Sequence, residues 1–476
     1  MTLPTTVTFA NDPVVLELAA LTGRAAAALA GPKATFAELE EVGLAVSNEA
    51  VRVMLQTRLQ AVADAHGKFV EVDGVRHVRH EVGEVSYHSL CGTLKVRRAT
   101  YRQTGEHNGP TVVPLDLDAG LVERGTPALS HSIALGYAKH DLRSHAEDLA
   151  ASHRVVPSRA TMERMAGRIG EEAIAASPRI ESYVRQAEHV PEGTVAASIG
   201  LDRTTVPMAE DRAEDAAPRK VRRAPYVRAV PAPIDVNWRM AYVGTITLTN
   251  DIGEALVTRK YAATASEGSE RIMKQLLADL RSALRQCPRM AVGVVQDGAP
   301  ELWTVVTDAL TGEASVSTWS EAIDRFHLNE RLGAALQIVE PTSTETPSRY
   351  ERWQASLDVR DDAIDEIESW LVQAYGKLDP DAAEKLWPHL VYLRNNKGRM
   401  RYASLRARGL PVGSGATEGT CKSVVGIRTK RSGQRWREEG LANVLTLRAI
   451  HQSDRFPSFW KHLSRRYVAR VESAAA

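Results

Sequence analysis

Two aspartates stand at the ends of apolar runs: Asp202 in Ile199-Gly-Leu-Asp202, and Asp297 in Val294-Val-Gln-Asp-Gly298. Runs of this kind read as buried strands, which puts both acids at carboxyl-terminal strand ends, the side of an α/β sheet where ligands gather. A lone acid after a strand is more often a cap or a turn residue; two, with a third elsewhere, are a different pattern. The third is Glu418 in Gly413-Ser-Gly-Ala-Thr-Glu418, in the first turn or so of a helix that follows the glycines, with Lys422 one turn on. Taken alone, Glu418 reads equally well as a helix-start glutamate stabilised by the dipole. Carboxylate oxygens suit Mg²⁺ or Mn²⁺, and two such ions about 3.5–4 Å apart clamp an in-line phosphoryl displacement. Asp324-Arg-Phe-His327 is the remaining cluster. Its histidine could touch a scissile phosphate or carry a proton, although a structural histidine is the better reading of the pattern alone.

The elements that must position these groups can be read along the chain. Residues 1–66 read as helical, with Val51, Leu55, Leu59 and Val62 as one stripe. Phe69–Val75 suggests a strand and turn, and Leu94, Val96 and Arg98 alternate with Lys95, Arg97 and Ala99 after a Cys91-Gly92 turn, a small hairpin with a cationic stripe. His77 and His80 have no cysteine partners and read as surface residues. Residues 121–190 return to helix. Leu142, Ala146, Leu149 and Ala150 form one stripe; after a short link, Ser158 is placed to cap a second helix with Met162, Met165, Ala166 and Ile169 inside. The pair resembles a helix-turn-helix, with Arg159, Thr161, Arg164 and Arg168 turned away from the core, though short helical pairs are common.

An α/β pattern follows. Val195–Leu201 reads as a strand, Ala209–Pro233 as a long mobile loop, and Tyr242–Thr249 with Ala255–Tyr261 as a hairpin. Residues 267–286 and 299–310 read as helices, Met290–Gln296 and Val316–Trp319 as strands, and about 328–393 as a helix-rich acidic insert. Trp353, Trp370 and Trp387 in that insert are better read as core packing than as a repeat. Ser414 begins the last basic helix, with Thr417, Cys421, Val424 and Val425 inside.

Composition sets the class. The 476 residues imply about three domains, and 43% hydrophobic with 25% charged residues is ordinary for a soluble globular protein. Three scattered cysteines exclude a disulfide framework and a Cys-x-x-Cys knuckle. No apolar run approaches a membrane span and no signal peptide is evident, so a cytoplasmic, nucleoid-associated location is expected. The net charge of +1 hides a strong asymmetry. From Arg394 to Arg437 there are 12 Lys/Arg and a single acid, Glu418, while Glu340–Glu384 holds 12 Asp/Glu. Such a basic block fits a polyanion partner or, equally on charge alone, pairing with the acidic segment inside the fold.

The string Gly398–Lys422, then Arg428-Thr-Lys-Arg-Ser-Gly-Gln-Arg-Trp436, resembles the ISKra-type bacterial insertion-sequence transposases. So do Val295–Trp303, Asp324-Arg-Phe-His327, the Leu142–Gly170 helix pair and the Gly92–Tyr101 hairpin, over roughly residues 70–460. The resemblance implies a DDE transposase, akin to the eukaryotic Mutator group, with an RNase H-like α/β catalytic domain interrupted by an all-α insertion. A helical and hairpin module and a helix-turn-helix would precede it. It implies Asp202, Asp297 and Glu418 as ligands for two Mg²⁺ or Mn²⁺ ions, with His327 assisting. Relatives often carry cysteine pairs beside the hairpin; this chain has none there, so zinc is not expected. Relatives also tend to show Asp-Gly where this chain has Asp202-Arg203.

The expected activity is hydrolysis at the element's ends and joining of the freed 3′-hydroxyl to target DNA. Arg159, Thr161, Arg164 and Arg168 would serve the inverted repeats, and Lys422, Arg428, Lys430 and Arg431 the backbone near the acids. Joining two ends calls for a homodimer or larger assembly on DNA, with no membrane partner. The alternatives are a catalytically silent or domesticated DNA-binding repressor on the same fold, and an RNase H-like repair nuclease. The expected divisions are 1–120, 121–190, 191–327, 328–393, 394–455 and a tail, 456–476.

Overall fold

The computed structural model describes residues 13–29, 35–106, 108–212, 234–342, 345–468 and 471–474. It is a mixed α/β protein whose described strands form two five-stranded sheets. The chain divides into two compact units, Met1–Ile180 with Phe456–Ala476, and Glu181–Arg455.

In the first unit, β1 (Phe69–Val72), β2 (Val75–Ser89), β3 (Gly92–Gln103) and β4 (Thr111–Val112) are antiparallel neighbours, and a C-terminal strand, Val471–Ala474, pairs with β1. The expected tail is therefore part of this unit's sheet. The expected small hairpin is longer than its apolar alternation, because β2 and β3 stay paired from Ser89↔Gly92 out to His77↔Gln103. His77 is buried, with Nδ1 2.8 Å from the Val75 carbonyl, which corrects its surface assignment; His80 is exposed as expected.

The helix Phe36–Ala65 begins with a capping box between Thr35 and Glu38. Its expected stripe is corrected: Val51 and Leu55 are exposed, while Val53 and Leu59 are buried. The cause is polar. The backbone N–H groups of Lys95 and Arg97 donate to the side-chain oxygens of Gln56 and Gln60, each at 2.9 Å. Two glutamines thus face the sheet to satisfy strand N–H groups, and the helix is rotated away from its apolar periodicity.

Three helices follow, Pro127–Lys139, Leu142–Ala151 and Arg159–Ala187. Asp141 caps the second and the Ser158 hydroxyl accepts from Thr161 N–H at 3.2 Å, as the sequence predicts for Ser158. Met162, Met165, Ala166 and Ile169 are buried together. One expectation fails: Ala150 is exposed, and His145 takes an inward place, packed so tightly against Gly136 that no β-carbon would fit there.

The second unit is built on β5 (Ala196–Asp211), β6 (Ile234–Thr249), β7 (Ala255–Ala263), β8 (Ala291–Gln296) and β9 (Ser320–Ile323), in the order β7-β6-β5-β8-β9. The first three are antiparallel; β8 and β9 run parallel to β5. Helices Gly268–Gln286 and Pro300–Thr311 match the sequence reading. Two strands do not. The strand expected at Val316–Trp319 forms at Ser320–Ile323, because Val316 reaches the core from a turn whose N–H bonds the Glu313 carbonyl. Strand β5 does not stop at Asp202 but runs on to Asp211, paired throughout with β6. The loop expected over Ala209–Pro233 is strand as far as Asp211; residues 213–233 lie outside the described residues.

The acidic insert forms helices Arg325–Val339, Thr346–Val359, Ala363–Tyr375 and Pro380–Asn396. Their buried leucines and isoleucines join the core under the sheet rather than a separate one. Trp353 and Trp370 meet edge to face at 5.4 Å, whereas Trp387 is exposed, which corrects its assignment to the core.

Candidate active site

The parallel register of β5 and β8 pairs Ile199 with Val294. Continued three residues along both strands, that register sets Asp202 beside Asp297. Facing residues on adjacent strands project to the same side of a sheet, and neighbouring strands lie about 4.8 Å apart. Asp202 is thus inside β5, three residues beyond its last pair with β8, where β5 goes on paired with β6 alone. Asp297 leaves β8 and accepts the Ala299 N–H at 2.9 Å, while its carbonyl takes the Trp303 indole N–H at 2.7 Å.

Glu418 comes from the helix Gly415–Thr420, which continues into a wider π-type turn, Cys421–Gly426. Thr417 seats this helix on the sheet. Its hydroxyl lies 2.7 Å from that of Thr245 on β6, in a gap that exists because residue 200 is glycine. A β-carbon on Gly200 would fall 2.1 Å from the Thr417 hydroxyl. Thr417, Cys421, Val424 and Val425 are all buried, as predicted. The Cys421 thiol donates to Asp202 at 3.2 Å, so the same helix touches the first acid and carries the third.

Asp202 feels the charges of the other two acids. Burial raises the Asp202 carboxyl above the usual aspartate range; the Cys421 thiol and the Arg203 N–H offset part of that, and the charges of Asp297 and Glu418 push it further up.

Asp324, His327 and Ser414 form the wall behind Glu418. Asp324 is buried and caps the helix Arg325–Val339 through the His327 N–H at 2.9 Å. Its other oxygen takes both the Ser414 N–H and, at 2.8 Å, the Ser414 hydroxyl. That hydroxyl is also 2.7 Å from Glu418 Oε1. Burial raises Asp324, but the N–H groups of Ser414 and His327 outweigh it and hold the carboxyl below the usual range. His327 Nδ1 is 3.2 Å from Asp324 and 3.9 Å from Glu418. Among the described residues, the group whose ligand atoms all lie within 4.8 Å of one another, and so could hold a metal ion, is Asp324, His327 and Glu418 rather than the expected Asp202, Asp297 and Glu418.

The basic block splits in two. Arg394 and Lys397 pair with Glu368, Lys397 and Arg401 with Asp365, Arg406 with Asp358, and Arg399 with Glu321. This first half neutralises mainly the acidic insert. Lys422, Lys430 and Arg431 in the second half are exposed, and Lys430 reaches the Thr204 hydroxyl at 2.6 Å, two residues from Asp202. Arg428 departs from its expected role: it is buried, with its guanidinium 4.8 Å above the Trp436 ring. Thr161 is likewise buried against Ser158 and not available to a ligand, whereas Arg159, Arg164 and Arg168 are exposed and held only by surface pairs with Glu163, Glu123 and Glu171.

Sequence reasoning missed Ser414 and Cys421 as contacts of the acids. Ser414 had a signal, a hydroxyl between two glycines four residues before Glu418; Cys421 was noted only as an inward residue. No family model matches the chain, and no curated protein matches it. No described helix is long and apolar enough to cross a membrane.

Proposed function

We propose that this protein is a metal-dependent DNA transposase of the DDE class, built on an RNase H-like core. The observation that carries the reading is that Asp202, on β5, feels the charges of both Asp297, which follows the adjacent parallel strand β8, and Glu418, from a helix. The mixed five-stranded sheet, with Asp202 on its middle strand and a helical insertion between β9 and the Glu418 helix, supports the fold assignment. The exposed arginines of Arg159–Ala187, after two shorter helices, support a helix-turn-helix role at the element's ends.

Asp202, Asp297 and Glu418 would hold two Mg²⁺ or Mn²⁺ ions, which would supply an activated water or 3′-hydroxyl and charge for the leaving oxygen. The chain's own groups do the rest. Asp297 is held by the Ala299 N–H and Glu418 by Ser414. His327, oriented by Asp324, stands where it can exchange a proton with an attacking or leaving oxygen near Glu418. Lys422, Lys430 and Arg431 offer charge to the DNA backbone on the same helix and the turn that follows it. Two ends must be joined, which calls for two copies on DNA.

The test is nicking of a plasmid that carries the gene with its flanking DNA, in Mg²⁺. Wild-type protein should nick at the element's ends, and Asp297→Asn should not. Equal nicking by both would refute the triad. Binding of the ends by both without nicking by either would favour the repressor reading, and cutting of branched DNA without preference for the ends the repair nuclease.

A further inference from the structure

Tyr392 and Arg331, both on inserted helices, border the acids and have no role in the account above. The helix Pro380–Asn396 lays the Tyr392 ring against Gly298, so closely that a β-carbon there would fall 2.9 Å from the ring and 3.6 Å from its hydroxyl. Gly298 directly follows Asp297, so the ring is fixed beside the second acid. Burial pushes the phenol up to about 12; the Arg331 charge pulls it down, and the carboxylates of Asp297 and Asp324 raise it. The hydroxyl therefore lies within the field of both acids and of one cation.

Arg325, Arg394 and Arg399, in or next to the insertion, are paired with Asp358, Glu368 and Glu321. Arg331 is exposed, and no carboxylate among the described residues pairs with it. Its guanidinium carbon sits 5.0 Å above the Tyr392 ring, which preorganises a planar donor fork at little further entropic cost. A phosphodiester drawn to three carboxylates is repelled by them wherever the metal charge does not reach, and a fixed guanidinium offsets that repulsion.

We infer that Arg331 and Tyr392 form a phosphate subsite for the DNA strand bound at the acids. The guanidinium takes the non-bridging oxygens of a phosphate neighbouring the reacting one, and the phenol hydroxyl donates to the same group. The inference rests on Asp202, Asp297 and Glu418 being the reaction centre.

The experiment is fluorescence anisotropy of the full chain with a short labelled duplex of arbitrary sequence, in Ca²⁺, across a salt series. Arg331→Ala should weaken binding about five- to thirtyfold and flatten the slope of log affinity against log salt by about 0.7–0.9, one phosphate contact. Arg331→Lys should keep the slope and recover part of the affinity, and Tyr392→Phe should lose a smaller factor. Circular dichroism matching wild type excludes a folding defect. Wild-type affinity and slope in Arg331→Ala would overturn the subsite. If Asp297→Asn is inactive in nicking while Arg331→Ala binds as wild type, only the subsite fails; if Asp297→Asn nicks normally, the reading of the acids fails first.

Discussion

Asp202, inside β5, feels the charge of Asp297, the residue that follows the adjacent parallel strand β8. Burial raises the Asp202 carboxyl, and the charges of Asp297 and Glu418 add to the effect. The sign of the pH dependence follows. A carboxyl raised above its unfolded value of 3.8 contributes stability only at low pH, and that contribution is lost as pH rises through its folded value. In the metal-free protein the Asp202 contribution should therefore fall as pH rises above about 4, so the stability of wild type relative to Asp202→Asn should decline with pH. Mg²⁺ at a hundred times its dissociation constant should restore about 2.7 kcal/mol to the wild type and much less to the variant. Thermal denaturation in EDTA and in Mg²⁺ at several pH values measures both.

The Ser414 hydroxyl lies between Asp324 and Glu418 and can donate its one proton to either carboxylate, while its backbone N–H holds Asp324. Hydrogen bonds to charged groups contribute about 1.5–3 kcal/mol, so losing this one should lower kcat by about ten- to a hundredfold. Ser414→Ala should show that loss with KM for DNA little changed, and Ser414→Thr should recover most of it. Steady-state nicking kinetics separates the two terms.

Gly200 is the seat of the Glu418 helix. Gly200→Ala would drive a methyl group into the Thr417 hydroxyl, and overpacking of this kind costs about 1–3 kcal/mol. It should lower the melting temperature and displace Glu418 as well. A variant that kept full stability and full Mg²⁺-dependent activity would show that the Thr417 contact does not position the acid.

The divided basic block separates stability from DNA binding. Arg394→Ala and Lys397→Ala break pairs with Glu368 and should change stability by under about 1 kcal/mol each, with DNA affinity preserved. Lys422→Ala, Lys430→Ala and Arg431→Ala should each weaken DNA binding and reduce its salt slope by about 0.7–0.9. Anisotropy across a salt series, beside thermal melts, distinguishes the two groups.

The acids were legible because each sits in an unusual local pattern: Asp202 and Asp297 after apolar runs, Glu418 alone among cations. Their meeting was not legible, since it depends on the β5–β8 register and on the space left at Gly200, which no local window carries. The length of β5 was hidden for a related reason. Beyond Asp202 its polar residues stay in strand only because β6 pairs with them, a long-range partner overriding local pattern. Hydrophobic periodicity worked where apolar packing alone decides the face, as at Met162, Met165 and Ile169, and failed on Phe36–Ala65, where Gln56 and Gln60 serve the edge of β3. Charge counting found the basic block but could not divide it, because the partners Asp358, Asp365 and Glu368 approach only in the folded chain.

The central claim, that Asp202, Asp297 and Glu418 share divalent ions, is tested most directly by Mn²⁺ titration followed by electron paramagnetic resonance, with no DNA present. Wild-type protein should bind Mn²⁺, and Asp202→Asn, Asp297→Asn and Glu418→Gln should each weaken that binding at least about tenfold, roughly 1.4 kcal/mol. Unchanged binding in Asp202→Asn and Asp297→Asn, with loss in His327→Ala, would contradict the account and assign the ion to Asp324, His327 and Glu418 instead.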